Sequence, residues 1–343
     1  MTAKHLYLDE AQRISLLRGE YERSEKYGAG TLEFSNTPSQ PRVFKTGDDC
    51  TVFFVGTATT IIEWKGFRIL TDPNFLHAGE PVHLGPGVNA TRRTNPATEL
   101  DQLPALDCIL LSHYHEDHFD RHVEQSLNRG FPIVTTPHAV QHLAVAKDGT
   151  SQPFQQVTGL DRFESAVLHI DGHRAIKVTA MPGKHVPPGP IAVANNLLQA
   201  VPPTAGWLLE LGHLAEGSSV VESEELQVGY RIYISGDTLL VEDLEEIPRW
   251  LKDKQLDLML VHLGGTTIPG ASLPLFMVTM DGEQGRHLMQ LVNPKITIPI
   301  HYDDYDVFLS PLADFEKEVN DAGLHDSVFY LDRGETYSFS VRE

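Results

Sequence analysis

Ser112-His113-Tyr114-His115-Glu116-Asp117-His118 places three histidines and an aspartate within six residues, directly after the apolar run Asp107-Cys108-Ile109-Leu110-Leu111. Histidine supplies only 17 of the 343 residues, so composition alone does not account for this density. One reading is a solvated, His-rich loop. The other is a metal site, because neutral imidazole and carboxylate are the usual ligands of zinc and similar ions. His113 and His115 stand two apart, so in an extended segment their side chains point the same way and can share one ion. Asp117 and His118 follow as the chain turns, and would face a second ion or the open side of the first. The stretch therefore asks for a fold in which an apolar strand ends in a polar, ligand-bearing loop.

Which chemistry such a loop serves is narrowed by charge. Lys and Arg number 27 against 47 Asp and Glu, a formal balance of −20. Nucleic-acid affinity rests on phosphate neutralisation by Lys and Arg, so broad polyanion binding is disfavoured and no nucleic-acid partner is expected. No Lys/Arg-rich amphipathic helix is evident, and stable membrane association is not expected either. Cys50 and Cys108 sit beside apolar runs and read as buried free thiols, which suits a reducing compartment. The first residues, Met1-Thr2-Ala3-Lys4-His5, lack the apolar core of a secretion signal, and no run is long enough to span a membrane. Asn89-Ala90-Thr91 matches a glycosylation sequon but reads as a loop. A cytoplasmic enzyme acting on a small molecule is the expectation.

Taken in order, residues 9–26 carry Ile14, Leu17 and Tyr21 at helical spacing, with Asp9 as a cap, and predict a helix. Residues 35–49 read as a linker, so residues 1–50 form an N-terminal helical extension and linker before a single domain over 51–343. Strands are predicted at 51–55, 61–64 and 67–70. An irregular excursion over 74–104 follows, carrying Arg92 and Arg93. Short helices are predicted at 121–129, capped by Asp120, and at 137–146, with a strand at 133–135 between them. Further strands fall at 166–170, 175–180, 206–211, 230–234, 256–261 and 296–300, and helices at 281–292 and 311–321. A strand pair, 327–331 and 336–341, ends the chain. The apolar, proline-rich stretch 186–203 leaves three roles open: a lid, a pocket wall, or a subunit interface in a homo-oligomer.

Asp72, His113, His185, Asp237, His262 and His301 each come within a few residues after an apolar strand. Alone, each has an ordinary explanation: Asp72 before Pro73 and Asp237 after Gly236 are turn chemistry, and a single histidine is usually structural. Together they point to one place. In sheets covered by helices, ligands bind beyond the carboxyl ends of the strands, and six such exits would converge on one edge.

These pieces resemble the metallo-β-lactamase superfamily, and within it the branch of N-acylphosphatidylethanolamine phospholipase D and ascorbate-6-phosphate lactonase. The resemblance rests on Thr71-Asp72-Pro73, the block from Leu103-Pro104 through His118, Pro182-Gly183-Lys184-His185, Ser235-Gly236-Asp237-Thr238 and Pro299-Ile300-His301-Tyr302. It implies an α+β fold, the four-layer αβ/βα sandwich of two mixed β-sheets flanked by helices. It also implies a metal-dependent hydrolase with two divalent ions, zinc first, with manganese or iron as alternatives. By matching position, His113, His115 and His185 would hold one ion, and Asp117, His118 and His301 a second, with Asp237 bridging. Asp72 would fix a ligand histidine from outside, and Asp117 would handle the proton of the attacking hydroxide that the ions share. The resemblance leads to cleavage of a small ester, lactone or phosphodiester. Hydrolysis of lipid phosphodiesters, or a nuclease on the same fold, are the alternatives. His262 departs from the branch pattern and is expected to face substrate. Arg92 and Arg93 are candidates for binding a substrate phosphate or carboxylate through bidentate pairs.

Overall fold

The structure, a computed structural model, describes residues 3–19, 48–85, 87–146, 152–198, 200–214, 226–270 and 273–343. In chain order its strands begin with β1 (Lys4–Tyr7), β2 (Cys50–Gly56), β3 (Thr59–Trp64), β4 (Phe67–Thr71), β5 (Pro81–His83) and β6 (Asn89–Thr91). Next come β7 (Cys108–Leu110), β8 (Ile133–Thr135), β9 (Val157–Gly159), β10 (Ser165–His169), β11 (Arg174–Met181) and β12 (Gly206–Leu214). The last six are β13 (Leu226–Ile234), β14 (Leu258–His262), β15 (Thr267–Gly270), β16 (Leu273–Met277), β17 (Ile296–Ile300) and β18 (Thr336–Phe339). The α-helices are α1 (Arg121–Ser126), α2 (Pro137–Leu143), α3 (Pro190–Leu198), α4 (Glu246–Leu251), α5 (Gly282–Val292) and α6 (Leu312–Asp321).

Two seven-stranded mixed sheets form the centre, in the orders β18-β2-β3-β4-β7-β8-β9 and β1-β10-β11-β12-β13-β14-β17. The steps β4-β7-β8-β9 and β13-β14-β17 are parallel. Parallel neighbours need a crossover: α1, α2, α4 and α5 occupy four of these connections, and β5 and β6 lie in the β4–β7 one.

Alternation along the strands separates three apolar layers. Val52, Phe54, Ile62 and Ile69 of the first sheet pack with Ile176, Val178, Leu209, Ile232, Leu258 and Leu260 of the second, filling the space between sheets. Met259 and Val261, on the opposite face of β14, pack instead with Leu251, Leu288 and Phe315 from α4, α5 and α6. On the outer face of the first sheet, Leu70, Ile109 and Ile133 meet Val123 of α1 and Leu143 of α2. The result is the expected four-layer αβ/βα arrangement. Helix ends are closed as their sequences suggest: Asp120 accepts from the N–H groups of His122 and Val123, Thr136 caps α2 ahead of Pro137, and Asp281 caps α5.

The ends of the chain exchange sheets. β1 adds in parallel to β10, and β18 pairs antiparallel with β2. The helix predicted over 9–26 is not formed over its described part: residues 10–12 make one 3-10 turn, capped by Asp9, and Leu17 bridges to Leu127. Residues 16–18 pair in extended conformation with 126–128 instead, the Arg18 N–H donating to the Ser126 carbonyl and the Asn128 N–H to the Leu16 carbonyl. The rest of that helix, and nearly all of the 35–49 linker, lie outside the described residues.

Other differences are local. The excursion after β4 contains the β5–β6 ribbon, so Asn89 begins a strand rather than lying in a loop, and the 186–203 stretch contains helix α3. Of the final strand pair only β18 forms, since Val328 makes a single bridge to Thr297. Cys50 and Cys108 are free and buried.

Candidate metal centre

β11, β13, β14 and β17 run in one direction in the second sheet, as β4 and β7 do in the first. Their exits carry Asp72, His113, His185, Asp237, His262 and His301. Asp72 and His301 adopt left-handed backbone, with φ of 36° and 63°. Among non-glycine residues that region is sparsely populated, and it aims both side chains back over the sheet ends.

Two groups of ligand atoms result, and a third set, Asp72, His118 and His262, shares His118 with the second. His113, His115 and His185 form the first, and Asp117, His118, Asp237 and His301 the second, each with its ligand atoms within 4.8 Å of one another. Asp117 touches both: one carboxylate oxygen lies 3.3 Å from His115 Nδ1, the other 3.8 Å from His118 Nε2 and 3.9 Å from His301 Nε2. Asp237 Oδ2 lies 3.3 Å from His118 Nε2 and 3.6 Å from His301 Nε2.

The outer nitrogens of these rings are tied down. His185 Nδ1 donates to the Val278 carbonyl at 2.7 Å, and His301 Nδ1 to the Leu263 carbonyl at 2.9 Å. A carbonyl accepts only, so Nδ1 carries the hydrogen and Nε2 presents a lone pair inward. His113 Nδ1 lies 2.9 Å from Ser112 Oγ, and His118 Nδ1 lies 3.4 Å from Asp72 Oδ2. Asp72 is itself fixed by the Ser112 N–H at 2.7 Å.

Burial makes the inward atoms costly unless something binds them. Nε2 of His113, His118 and His301, both ring nitrogens of His115 and Oδ1 of Asp117 are buried without a hydrogen-bond partner among the described residues. Six unsatisfied polar atoms converging from two strand exits, the loop after β7 and the end of β17, are what a metal-binding site requires, and the donor set suits divalent first-row ions.

The groups also differ in charge state. Burial, with neighbouring His118 and His185, holds His113 well below the usual imidazole range. Burial likewise brings His185 down to about 4. In the second group burial is outweighed: the Asp237 and Asp117 carboxylates hold His118 and His301 above their ordinary value. Against burial, His301 and His118 hold Asp237 well below the carboxylate range, and His118 with His115 does the same for Asp117.

Of the seven ligand candidates, His115 alone is not fully buried, its side chain 11% exposed. A cavity of about 570 Å³ opens beside it, lined by Tyr114, Phe119, His138, His142, Ala200 and Pro202 among others. The 186–203 stretch thus contributes to its wall.

Two expectations for substrate residues are corrected. Arg92 is buried, its guanidinium 3.0 Å from Asp304, which also holds Arg333 at 3.0 Å and the Thr57 N–H at 2.9 Å. Arg92 Nη1 further donates to Asn74 Oδ1 at 2.9 Å, and Asn74 Nδ2 donates to the Asp117 carbonyl at 2.7 Å. It is an internal ion pair beneath the ligand loop, beyond the reach of substrate. His262 is wholly buried and stacks on His118 and His301 at centroid distances of 5.9 and 5.5 Å. Its Nδ1 lies 3.0 Å from Asp237 Oδ1, so it grips a carboxylate, while its Nε2 is buried without a hydrogen-bond partner among the described residues. Arg93 is exposed and donates its backbone N–H to the Asp304 carbonyl at 2.7 Å. Sequence reasoning missed Thr279, whose hydroxyl donates to Asp237 Oδ2 at 2.9 Å, and Asn74. Thr279 carried no signal. Asn74, two residues past Asp72 at a strand exit, carried a weak one.

The Beta-lactamase superfamily domain model matches residues 67–302. A UPF0173 metal-dependent hydrolase of Thermodesulfovibrio yellowstonii is 25% identical over 291 residues, covering 81% of this chain and 91% of that one. Another from Caldivirga maquilingensis is 22% identical, covering 84% and 98%. Among solved structures, an isothiocyanate hydrolase from Delia radicum gut bacteria superposes with a TM-score of 0.64 at 18% identity, over 85% of this chain and all of that one. A possible metal-dependent hydrolase from Veillonella parvula gives the same TM-score, identity and coverage. With its fold and its histidine-rich loop both accounted for, the chain belongs to the metallo-β-lactamase superfamily and is a metal-dependent hydrolase.

Proposed function

We propose that this hydrolase is dinuclear and cleaves a small ester, lactone or phosphodiester. The observation that carries the reading is the pair of adjoining ligand groups with inward atoms that nothing else satisfies. His113, His115 and His185 would hold one ion, and Asp117, His118 and His301 the other, with Asp237 between them. Zinc is the first expectation, with manganese or iron accepted by the same ligands. Ions bound there would supply Lewis acidity and lower the pKa of a water toward neutrality.

The chain's own residues do the rest. Asp117 lies where the groups meet and has one oxygen without a hydrogen bond among the described residues, so it is placed to orient the attacking water and pass on its proton. His262 and Thr279 clamp Asp237 on opposite oxygens and fix its orientation. The cavity beside His115 has room for a small substrate.

The test is metal content and turnover together. Freshly purified protein should carry about two equivalents of transition metal, and His185→Ala and His301→Ala should each lose one. Less than one equivalent with all seven ligands intact would overturn the dinuclear reading. A screen across bis-p-nitrophenyl phosphate, simple lactones and thioesters should return one class that depends on Asp117.

One observation favours a second reading, hydrolysis of lipid phosphodiesters: α3, whose C-terminal exit walls the cavity, exposes Val193 and Leu197. The net charge of −20 opposes approach to anionic lipid. Sedimentation with phosphatidylcholine vesicles separates the two, since absence of binding at low salt eliminates the lipid reading.

A further inference from the structure

α2 carries a second histidine pair, outside the ligand groups. His138 and His142 stand four residues apart, one helical turn, which is the spacing by which a helix offers two imidazoles to one ion. Their Nε2 atoms are 3.3 Å apart and face each other. Two nitrogens bound to one divalent ion at about 2.0–2.1 Å lie roughly 3.0–3.4 Å apart for octahedral or tetrahedral angles. A direct N–H···N bond is normally shorter, and the molecule contains one for comparison: His5 Nδ1 and His169 Nε2 are 2.8 Å apart.

The pair is also preorganised. Tyr114 stacks flat on His142, centroids 4.9 Å apart and planes 2° from parallel, and its hydroxyl donates to Glu124 Oε2 at 2.7 Å. That contact limits rotation of the His142 ring. Burial and the neighbouring imidazole lower the pKa of His138, so it is neutral at pH 7 with a lone pair to give.

We propose that His138 and His142 form a third divalent-cation site, at the rim of the cavity that His115 also lines. Imidazole ligation selects zinc, cobalt, nickel or copper over magnesium or calcium. With two protein ligands the ion keeps open positions, and water or an anionic group of a bound molecule would fill them from the cavity. Binding there is weaker than at the three- and four-ligand groups, and exchangeable.

Titrating metal-free protein with Zn2+ against a chromophoric chelator, and separately with Co2+ followed by its visible spectrum, tests this. Wild type should show one weak equivalent beyond the tight ones. His138→Gln and His142→Gln should each abolish it while keeping the tight equivalents and the melting temperature, and Mg2+ should not compete. The same number and strength of weak equivalents in wild type and both variants would overturn the site, leaving the two rings as a hydrogen-bonded pair. The difference between wild type and variants is read whatever the number of tight ions, so failure here and failure of the dinuclear reading are distinguishable.

Discussion

The first ligand group holds three imidazoles, whereas the second mixes two imidazoles with two carboxylates. Their surroundings differ as much as their composition. The first draws His185 from a separate strand and opens through His115 toward the cavity. The second is closed off, stacked against His262, and rests on the Arg92–Asp304 pair through Asn74 and the backbone of Asp117. Without carboxylates, burial makes imidazoles poor bases; beside two carboxylates, equally buried imidazoles become better ones. A single loop thus feeds one group that is ready for metal and another that first has to release protons.

The largest test of this contrast is Asp117→Asn, which keeps size but removes the charge that both groups share. Turnover should fall by about 10³-fold or more, the scale on which a positioned acid–base group acts, while the first group keeps its ion. Steady-state rates with metal analysis on one sample decide it, and retained turnover would end the role given to Asp117. Next comes Arg92→Met, which removes one partner of a buried ion pair and should cost roughly 3–5 kcal/mol, measured by denaturant unfolding. If the support is as one-sided as described, the second group should lose its ion at lower chelator concentration than the first.

His262→Gln is smaller. Outer partners of metal ligands typically contribute 10–100-fold in affinity, so second-group affinity should fall by about that factor and first-group affinity should not. Competition with a chelator reads both, and equal losses would mean that His262 is only packing. The smallest effect is on pH. His118 and His301 have raised pKa values in ion-free protein, so protons compete with metal there, and affinity should fall up to about tenfold per pH unit per displaced proton as pH drops from 8 to 6. Burial has already made His113 and His185 neutral over that range, so these two ligands should not add to the response and the first group should respond less than the second. Calorimetry in buffers of different ionisation enthalpy counts the released protons.

Much of this was legible in the sequence because ligands fall at strand exits. Apolar runs announce strands, and residues such as His185 or Asp237 just beyond them can be assigned to one edge without coordinates. What escaped was whatever depends on the partner of a side chain. Arg92 looks in sequence like a solvent-facing substrate residue, and only Asp304, more than two hundred positions later, turns it inward. His262 was correctly placed at the edge, but nothing local says that it meets Asp237 rather than substrate. The 9–26 segment failed for a similar reason, since its backbone partners, residues 126–128, lie more than a hundred positions away. The His138/His142 pair went unnoticed because two histidines on a short helix carry no weight until their rings are seen to converge.

Asp72 and His301 carry the left-handed backbone described at their strand exits. That is the conformation in which glycine is most comfortable, and one that Asp and His enter more readily than β-branched side chains but still at a cost. Conformationally, glycine is the obvious choice at 72 and at 301; chemically, it can do nothing there. A stability-guided redesign that judged these positions by backbone geometry would write glycine at both and return a well-folded, inert chain.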